Sequence, residues 1–388
     1  MTSSDSAARP GQRPRVLIVG GGVAGLEAAF ALQEMAGDHF QTTIMAPTDE
    51  FVLRPLAVGE PFTSAWARRY RLDDLAAQAG AELMRESLAW VDAKLGLAHT
   101  GSGAAVGFDA LLFAVGARVQ SAYAHTTTVD PDRMDDALHG LVNDIEGGYV
   151  GDLAIIVPAP MPWPLPAYEL ALMCSERAWD MQTQLAVTLF TPEERPLALF
   201  GTATSEALSE LLAERDVRVV SGAYCEVPRA RAIIVHPGGR LFTAERIMAL
   251  PALYGPHVPG LPQDGGGFVP VDEFGRVRGV ENVWAAGDAT DFAIKHGGIA
   301  AQLADTAAQS IAAQFGVCPP PEPFAPVLEG VLLTGGTPRY MRARPTGGHG
   351  ADPELTRVPR GEHPPKVAAK YLVPHLTKAD STTVSPST

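Results

Sequence analysis

The chain has 388 residues, 46% of them hydrophobic and 19% charged, which predicts two to three domains of about 150 residues with ample material for buried cores. Its 44 acidic against 30 basic residues give a net charge of −14, and no stretch carries a basic footprint, so nucleic acid is excluded as the main partner. No apolar run approaches the roughly 20 residues that cross a bilayer, and the polar N-terminus MTSSDSAARPGQRPR has no signal pattern. The reading is a cytoplasmic protein with at most peripheral contact at the inner face of a membrane. Cys174, Cys225 and Cys318 stand at wide, irregular spacings, which rules out a disulfide framework, a zinc ribbon and a CxxC-type redox pair.

Residues 1–12 are expected to form a disordered lead-in. The run Val16–Val19 then meets Gly20-Gly21-Gly22 and the helical pattern LEAAFALQEMAG, and Thr42–Ala46 completes a βαβ unit. The stretch DEFVLRPLAVGEPF (49–62) mixes prolines with large apolar residues and reads as a functional loop. FDALLFAVGA (108–117) reads as a buried strand ending in a glycine turn. Leu153–Val157 is a strand before the proline-dense PAPMPWPLP and the helix AYELALMCSERAW. Leu185–Phe190, a helix at SEALSELLAER, a strand at VRVV and a hairpin around HPGGRLF follow. ENVWAAGDATDF and the helix IAAQLADTAAQSIAAQF close the last regular unit before Pro319-Pro320-Pro321. Residues 335–365 are crowded with Gly, Pro and Arg, and the tail from 373 is expected to be disordered. Alternating βαβ units point to an α/β class with parallel sheets.

Gly20, Gly22 and Gly25 occupy the three positions of GxGxxG. The first allows a tight turn, the second lets the backbone approach a pyrophosphate, and the third allows close helix–strand packing, with the helix N-terminus favouring the anion. The motif follows a strand and opens a helix, which is the context a dinucleotide site requires. The acid that would hold a ribose at the tip of the second strand is missing: Ala46-Pro47 stand there, with Asp49 and Glu50 a few residues on. Either carboxylate, or backbone groups, could serve.

The turn AVGA at Gly116 and the motif AAGDA at Gly287-Asp288, added to the glycine turn, resemble the signatures of two-dinucleotide-binding-domain flavoproteins of the pyridine nucleotide-disulfide oxidoreductase type. The resemblance implies FAD, with Asp288 on the flavin chain. FAIKHGGIAAQLAD narrows it to the sulfide:quinone oxidoreductase and type II NADH dehydrogenase branch. There the first helical turn, including Gly298, points at the flavin pyrimidine. A positive helix end and Lys295 would stabilise negative charge on reduced flavin, and Gln302 would face the flavin or a quinone. PTDEFVLRPLAV, with Arg54 and Pro55, is similar to the loop beneath the flavin, and PAYELAL places Glu169 near the face that meets the donor.

Two departures stand out. After LAIIV the second unit has PAPMPWPLP in place of a glycine-rich phosphate turn; prolines lack the N–H donors of an anion nest and Trp163 fills cofactor space. Glu193 and Glu194 follow the strand LAVTLF, whose tip carries no ribose acid. NAD(P)H is therefore disfavoured. Aligned with the flavin-flanking cysteines of sulfide oxidation are Trp163 and the neighbourhood of Leu328, so a persulfide relay is unsupported.

The reading is α/β: two Rossmann-like dinucleotide-binding domains, the second inserted in the first, with a short C-terminal region. Residues 13–120 plus 262–318 form the FAD-binding domain, 121–261 the degenerate NAD-type domain, and 319–372 the C-terminal region. The expected activity is FAD-dependent transfer of two electrons from a small-molecule donor to an acceptor such as a quinone. An NAD(P)H-dependent reductase of the same fold, or a non-catalytic flavin-binding partner protein, are the alternatives. A homodimer is compatible with this reading. PPKVAAKYLVPHLTK (364–378) is either a short interfacial helix or a surface helix broken at Pro374.

Overall fold

In the computed structural model, residues 13–346, 349–357 and 366–383 are described; the expected lead-in at 1–12 lies outside them. β1 (Arg15–Val19) buries Val16 to Val19 completely, as a parallel strand covered on both faces must. α1 (Val23–Ala36) is alanine-rich and buried continuously from Ala24 to Leu32. β2 (Gln41–Met45) runs parallel to β1, and β3 (Glu82–Met84) continues the sheet beyond it. β4 (Ala110–Phe113) pairs with the other edge of β1. The 49–62 stretch is more regular than the sequence suggests. Glu50–Leu53 pairs with Arg68–Arg71, and Arg54–Phe62 forms 3-10 turns, because Phe51 and Leu53 alternate inward in the strand while Ala57, Val58 and Phe62 are buried by the turns.

The chain then builds a second sheet before returning. β5 (Thr127–Thr128) leads to α2 (Met134–Glu146), β6 (Asp152–Ile156), α3 (Leu165–Asp180), β7 (Ala186–Phe190), α4 (Thr202–Glu214), β8 (Val217–Val220) and β9 (Arg246–Ala249). The sheet order is β5-β9-β6-β7-β8, all parallel. An antiparallel meander over residues 224–243 covers one face through Val227, Ile233 and Val235. β10 (Val283–Ala285) returns beside β4, completing the order β10-β4-β1-β2-β3 in the first sheet. Two Rossmann-like sheets with the second inserted in the first is thus the architecture, and α5 (Gly297–Gln314) packs on α1 through small residues of both helices.

The C-terminal region holds more structure than its Gly/Pro/Arg content suggests. β11 (Leu328–Leu332), β12 (Arg339–Thr346) and β13 (His349–Thr356) form an antiparallel sheet. In β12, Met341 and Ala343 point inward at 3% and 1% exposure between arginines, a period of two that outweighs the local composition. α6 (Leu372–Thr383) occupies much of the tail expected to be disordered; residues 384–388 lie outside those described. Pro374 sits in its first turn, where a missing N–H costs nothing. Leu372 and Leu376 are buried in the core of the first unit, as are Val367 and Ala369 just upstream. Each buried leucine is worth about 1.5–3 kcal/mol, so the apolar face of this segment is spent on protein. Among the described residues, no helix is long and apolar enough to cross a membrane.

Glu27 pegs this helix. It is fully buried in α1, and its two carboxylate oxygens accept the N–H groups of Tyr371 (2.9 Å) and Leu372 (2.6 Å). Asp305 of α5 hydrogen-bonds to Glu27, and burial together with that neighbour pushes its carboxyl up to about 8, against a weaker pull from Lys370. The folded protein therefore keeps a proton that the unfolded chain releases in the ordinary carboxylate range. Stability is full at low pH and falls as pH rises toward about 8. Asp305→Asn is expected to flatten that fall in urea melts between pH 5 and 9, a range chosen to bracket the about-8 titration; an unchanged slope would assign the pH dependence elsewhere.

Candidate active site

The glycine turn after β1 is dictated by contact. Gly20 has φ +119°, and a Cβ there would lie 2.3 Å from the Ala114 carbonyl oxygen; one on Gly25 would lie 1.9 Å from that of Gly20. Gly22 differs: nothing in the protein comes within 4 Å of its Cβ position. It is the N-cap of α1, with no side-chain cap and no acidic residue in the first turn. An uncapped helix end beside an open glycine is the cradle a pyrophosphate occupies.

Gly287 brings the second element to the same place. Its φ is +74°, and a Cβ would press on Ala24 of α1 (3.1 Å) and Ala300 of α5 (3.3 Å), so only glycine lets this turn wedge between the two helix starts. Asp288 next to it is half-buried and makes no side-chain hydrogen bond among the described residues; burial raises its carboxyl, with Lys295 opposing. A carboxylate of this kind wants hydroxyl donors, which the ribityl chain of FAD carries. These residues fit the group: Gly20, Gly22 and Gly25 with the α1 N-terminus for the phosphates, and Asp288 for the chain. Bound there, FAD would supply two-electron chemistry at its ring. Gly116 turns in the left-handed region (φ +77°) after β4, again with open space at its Cβ position.

The other expected site residues are placed as follows. Lys295 is buried, its ammonium donating to the Thr290 carbonyl and lying 4.0 Å from the Phe268 ring centroid. Burial lowers it to about 8, opposed by Asp288, Asp291 and Asp264. It thus braces the Asp288 turn. Gln302 is tied to the backbone of residue 327. Its amide pairs both ways with the Val327 backbone, donating at 2.8 Å and accepting at 2.8 Å, and also donates to the Gly298 carbonyl. The amide clamps the start of β11 to α5, at the position where the resemblance implies a side chain facing the flavin or a quinone. Arg54 turns to Asp132 at the entry to the second unit, with Pro55 in the first turn of the 3-10 segment. Asp49 and Glu50 engage Arg85 and Arg69.

Glu169, in the first turns of α3, is 1% exposed and held by Lys366 Nζ at 2.8 and 3.0 Å and by the Leu333 N–H at 2.9 Å. Burial still raises its carboxyl against the pull of the lysine. Lys366 is a partner that sequence reading misses, 197 positions from Glu169. Just after it, Val367 and Ala368 lie against Gly297 and Gly298 at the start of α5. His296, the α5 N-cap, tilts against Trp163 with ring centroids 4.4 Å apart. The C-terminal segment, α3 and the proline-dense turn therefore converge on the α5 N-terminus, which has neither side-chain cap nor acidic first-turn residue.

The second unit has no glycine-rich turn after β6. After β6 the chain runs through Pro158, Pro160, Pro162 and Pro164 with no glycine. Glu193, past the tip of β7, is turned inward: it accepts from Tyr168 Oη (2.6 Å) and Thr191 Oγ1 (3.0 Å), and burial pushes it up to about 6. The cysteines are also remote from thiolate chemistry. Burial pushes Cys174 and Cys225 up to about 12, and it raises Cys318, which lies past the far end of α5.

No family model matches the sequence, and no curated protein matches it. Solved structures do match in three dimensions. The sulfide:quinone oxidoreductase of Aquifex aeolicus superposes with a TM-score of 0.78 at 18% identity, over 89% of this chain and 87% of that one. A ferredoxin reductase from Rhodopseudomonas palustris gives 0.64 at 16% identity over 85% and 82%. Putidaredoxin reductase, solved in covalent complex with putidaredoxin, gives 0.63 at 18% over 85% and 81%. What this chain has in common with these oxidoreductases is the fold, two Rossmann-like units with one inserted in the other.

Proposed function

We propose that the protein is an FAD-dependent oxidoreductase that takes two electrons from a small-molecule donor other than NAD(P)H or sulfide and passes them to an acceptor such as a quinone. The glycine turn, the Asp288 turn and the uncapped α1 and α5 N-termini support the flavin. One observation carries the choice of donor: the second unit has prolines where a phosphate nest needs N–H groups, and its tip carboxylate is locked to Tyr168 and Thr191. Trp163 lies beside the α5 N-cap, and Lys366 takes up Glu169. None of the three cysteines supports a persulfide relay.

Equilibrium dialysis of the FAD-loaded protein against NADH and NADPH tests this. Neither nucleotide is expected to be retained at micromolar levels, on the order of ordinary KM values. Stoichiometric retention of either would return the protein to the nicotinamide-dependent reductases.

A further inference from the structure

His296 has more hydrogen-bonding capacity than the protein uses. Only 8% exposed, it makes no hydrogen bond through either ring nitrogen among the described residues, and its Nδ1 is fully buried without a partner. Buried polar groups are almost always satisfied, and an orphan points to a ligand. The fold holds the ring in place deliberately. A Cβ on Gly298 would fall 3.1 Å from His296 Cε1 and 3.4 Å from Nδ1, so that glycine lets the imidazole fold over the first turn of α5. On its other side stands Trp163, half-buried and backed by Phe200 with centroids 5.9 Å apart.

We infer that His296 and Trp163 form a recognition element at the α5 N-terminus for a planar aromatic ring bearing a hydroxyl, the ring against Trp163 and the hydroxyl donating to the imidazole. This rests on the flavin reading above and deepens it. Burial, and then the charge of Lys366, drive His296 down to about 4, so at neutral pH it offers one N–H and one lone pair. A cationic ligand would be repelled by Lys366 and the α5 N-terminus. An anion without a hydrogen to give would leave the lone pair buried and empty. A hydroxyl satisfies the lone pair, and negative charge developing on its oxygen is favoured by the helix end and the lysine.

The test uses 2-naphthol and 2-methoxynaphthalene, which share a ring system and differ in the donor hydrogen. Each is titrated into FAD-loaded wild type, His296→Phe and His296→Gln, with tryptophan fluorescence as readout and the visible flavin bands recorded in the same samples. The wild type is expected to bind 2-naphthol at least tenfold more tightly than the ether. His296→Phe should abolish that preference while keeping ether affinity, and His296→Gln, which retains an acceptor, should keep part of it. Equal binding of the two compounds by wild type, a preference that survives His296→Phe, or no binding of either would overturn the inference. Absence of the flavin bands would instead sink the flavin reading, and the fluorescence comparison would still judge His296.

Discussion

Lys366→Met is expected to destabilise the protein by about 3–5 kcal/mol, the cost of removing one partner of a buried ion pair. The two side chains are 7% and 1% exposed, so solvent does not screen them. Without the ammonium, Glu169 keeps, among the described residues, only the Leu333 N–H as a donor and must either hold an uncompensated charge or take up a proton. The double variant Lys366→Met/Glu169→Gln should recover most of the loss, because a neutral amide carries no buried charge. Urea melts of the three proteins measure both numbers. A single-variant loss below about 1 kcal/mol, the range of exposed pairs, would mean that the pair is open to water and that residues 366–369 do not close on the α5 N-terminus.

The second large effect separates two glycines of one motif. Gly25→Ala puts a methyl 1.9 Å from the Gly20 carbonyl oxygen. Backbone cannot give way there without unseating the β1–α1 turn, and a loss of more than about 3 kcal/mol is expected. Gly22→Ala meets nothing within 4 Å, at φ −87° and ψ −170° that any residue adopts. Its flavin-free form should match wild type within about 0.5 kcal/mol but purify without FAD, since the methyl stands where a pyrophosphate would lie. Melting curves of the flavin-free proteins, with the FAD content of each preparation, check the pair. Normal FAD content in Gly22→Ala would remove the pyrophosphate from that turn.

What could be read from the sequence was what is local. GxGxxG between a strand and a helix, and Gly287-Asp288 at a strand end, are short-range patterns whose meaning depends on neighbours a few residues away. The second βαβ unit and its proline-filled turn were legible for the same reason. Contacts between distant segments were not. Glu169 was singled out in the sequence, but its partner Lys366 lies in a stretch that composition marks as irregular. Gln302 has the right helix and the right spacing for a ligand-facing role, and only the path of residue 327 shows that its amide is taken. Lys295 was read as a cation stabilising charge on reduced flavin; its contacts with Phe268 and the Thr290 carbonyl come from packing and are not legible in the sequence. β12 was missed although Met341/Ala343 carry the period of a strand, because Pro345 and the surrounding glycines outweighed a two-residue signal; over 364–378 a helix was read, and Pro374 stands in the first turn of α6 and does not break it. His296 carries no sequence signal beyond its place in FAIKHGG; its burial and its unpartnered Nδ1 are properties of packing alone.

The most direct measurement is the visible spectrum of the purified protein, recorded anaerobically before and after NADH or NADPH is added. Flavin bands that do not bleach with either nucleotide are expected, with FAD held by the first unit and a second unit closed to nicotinamide. A protein without flavin bands, or one whose bands bleach at once, would contradict the proposed function.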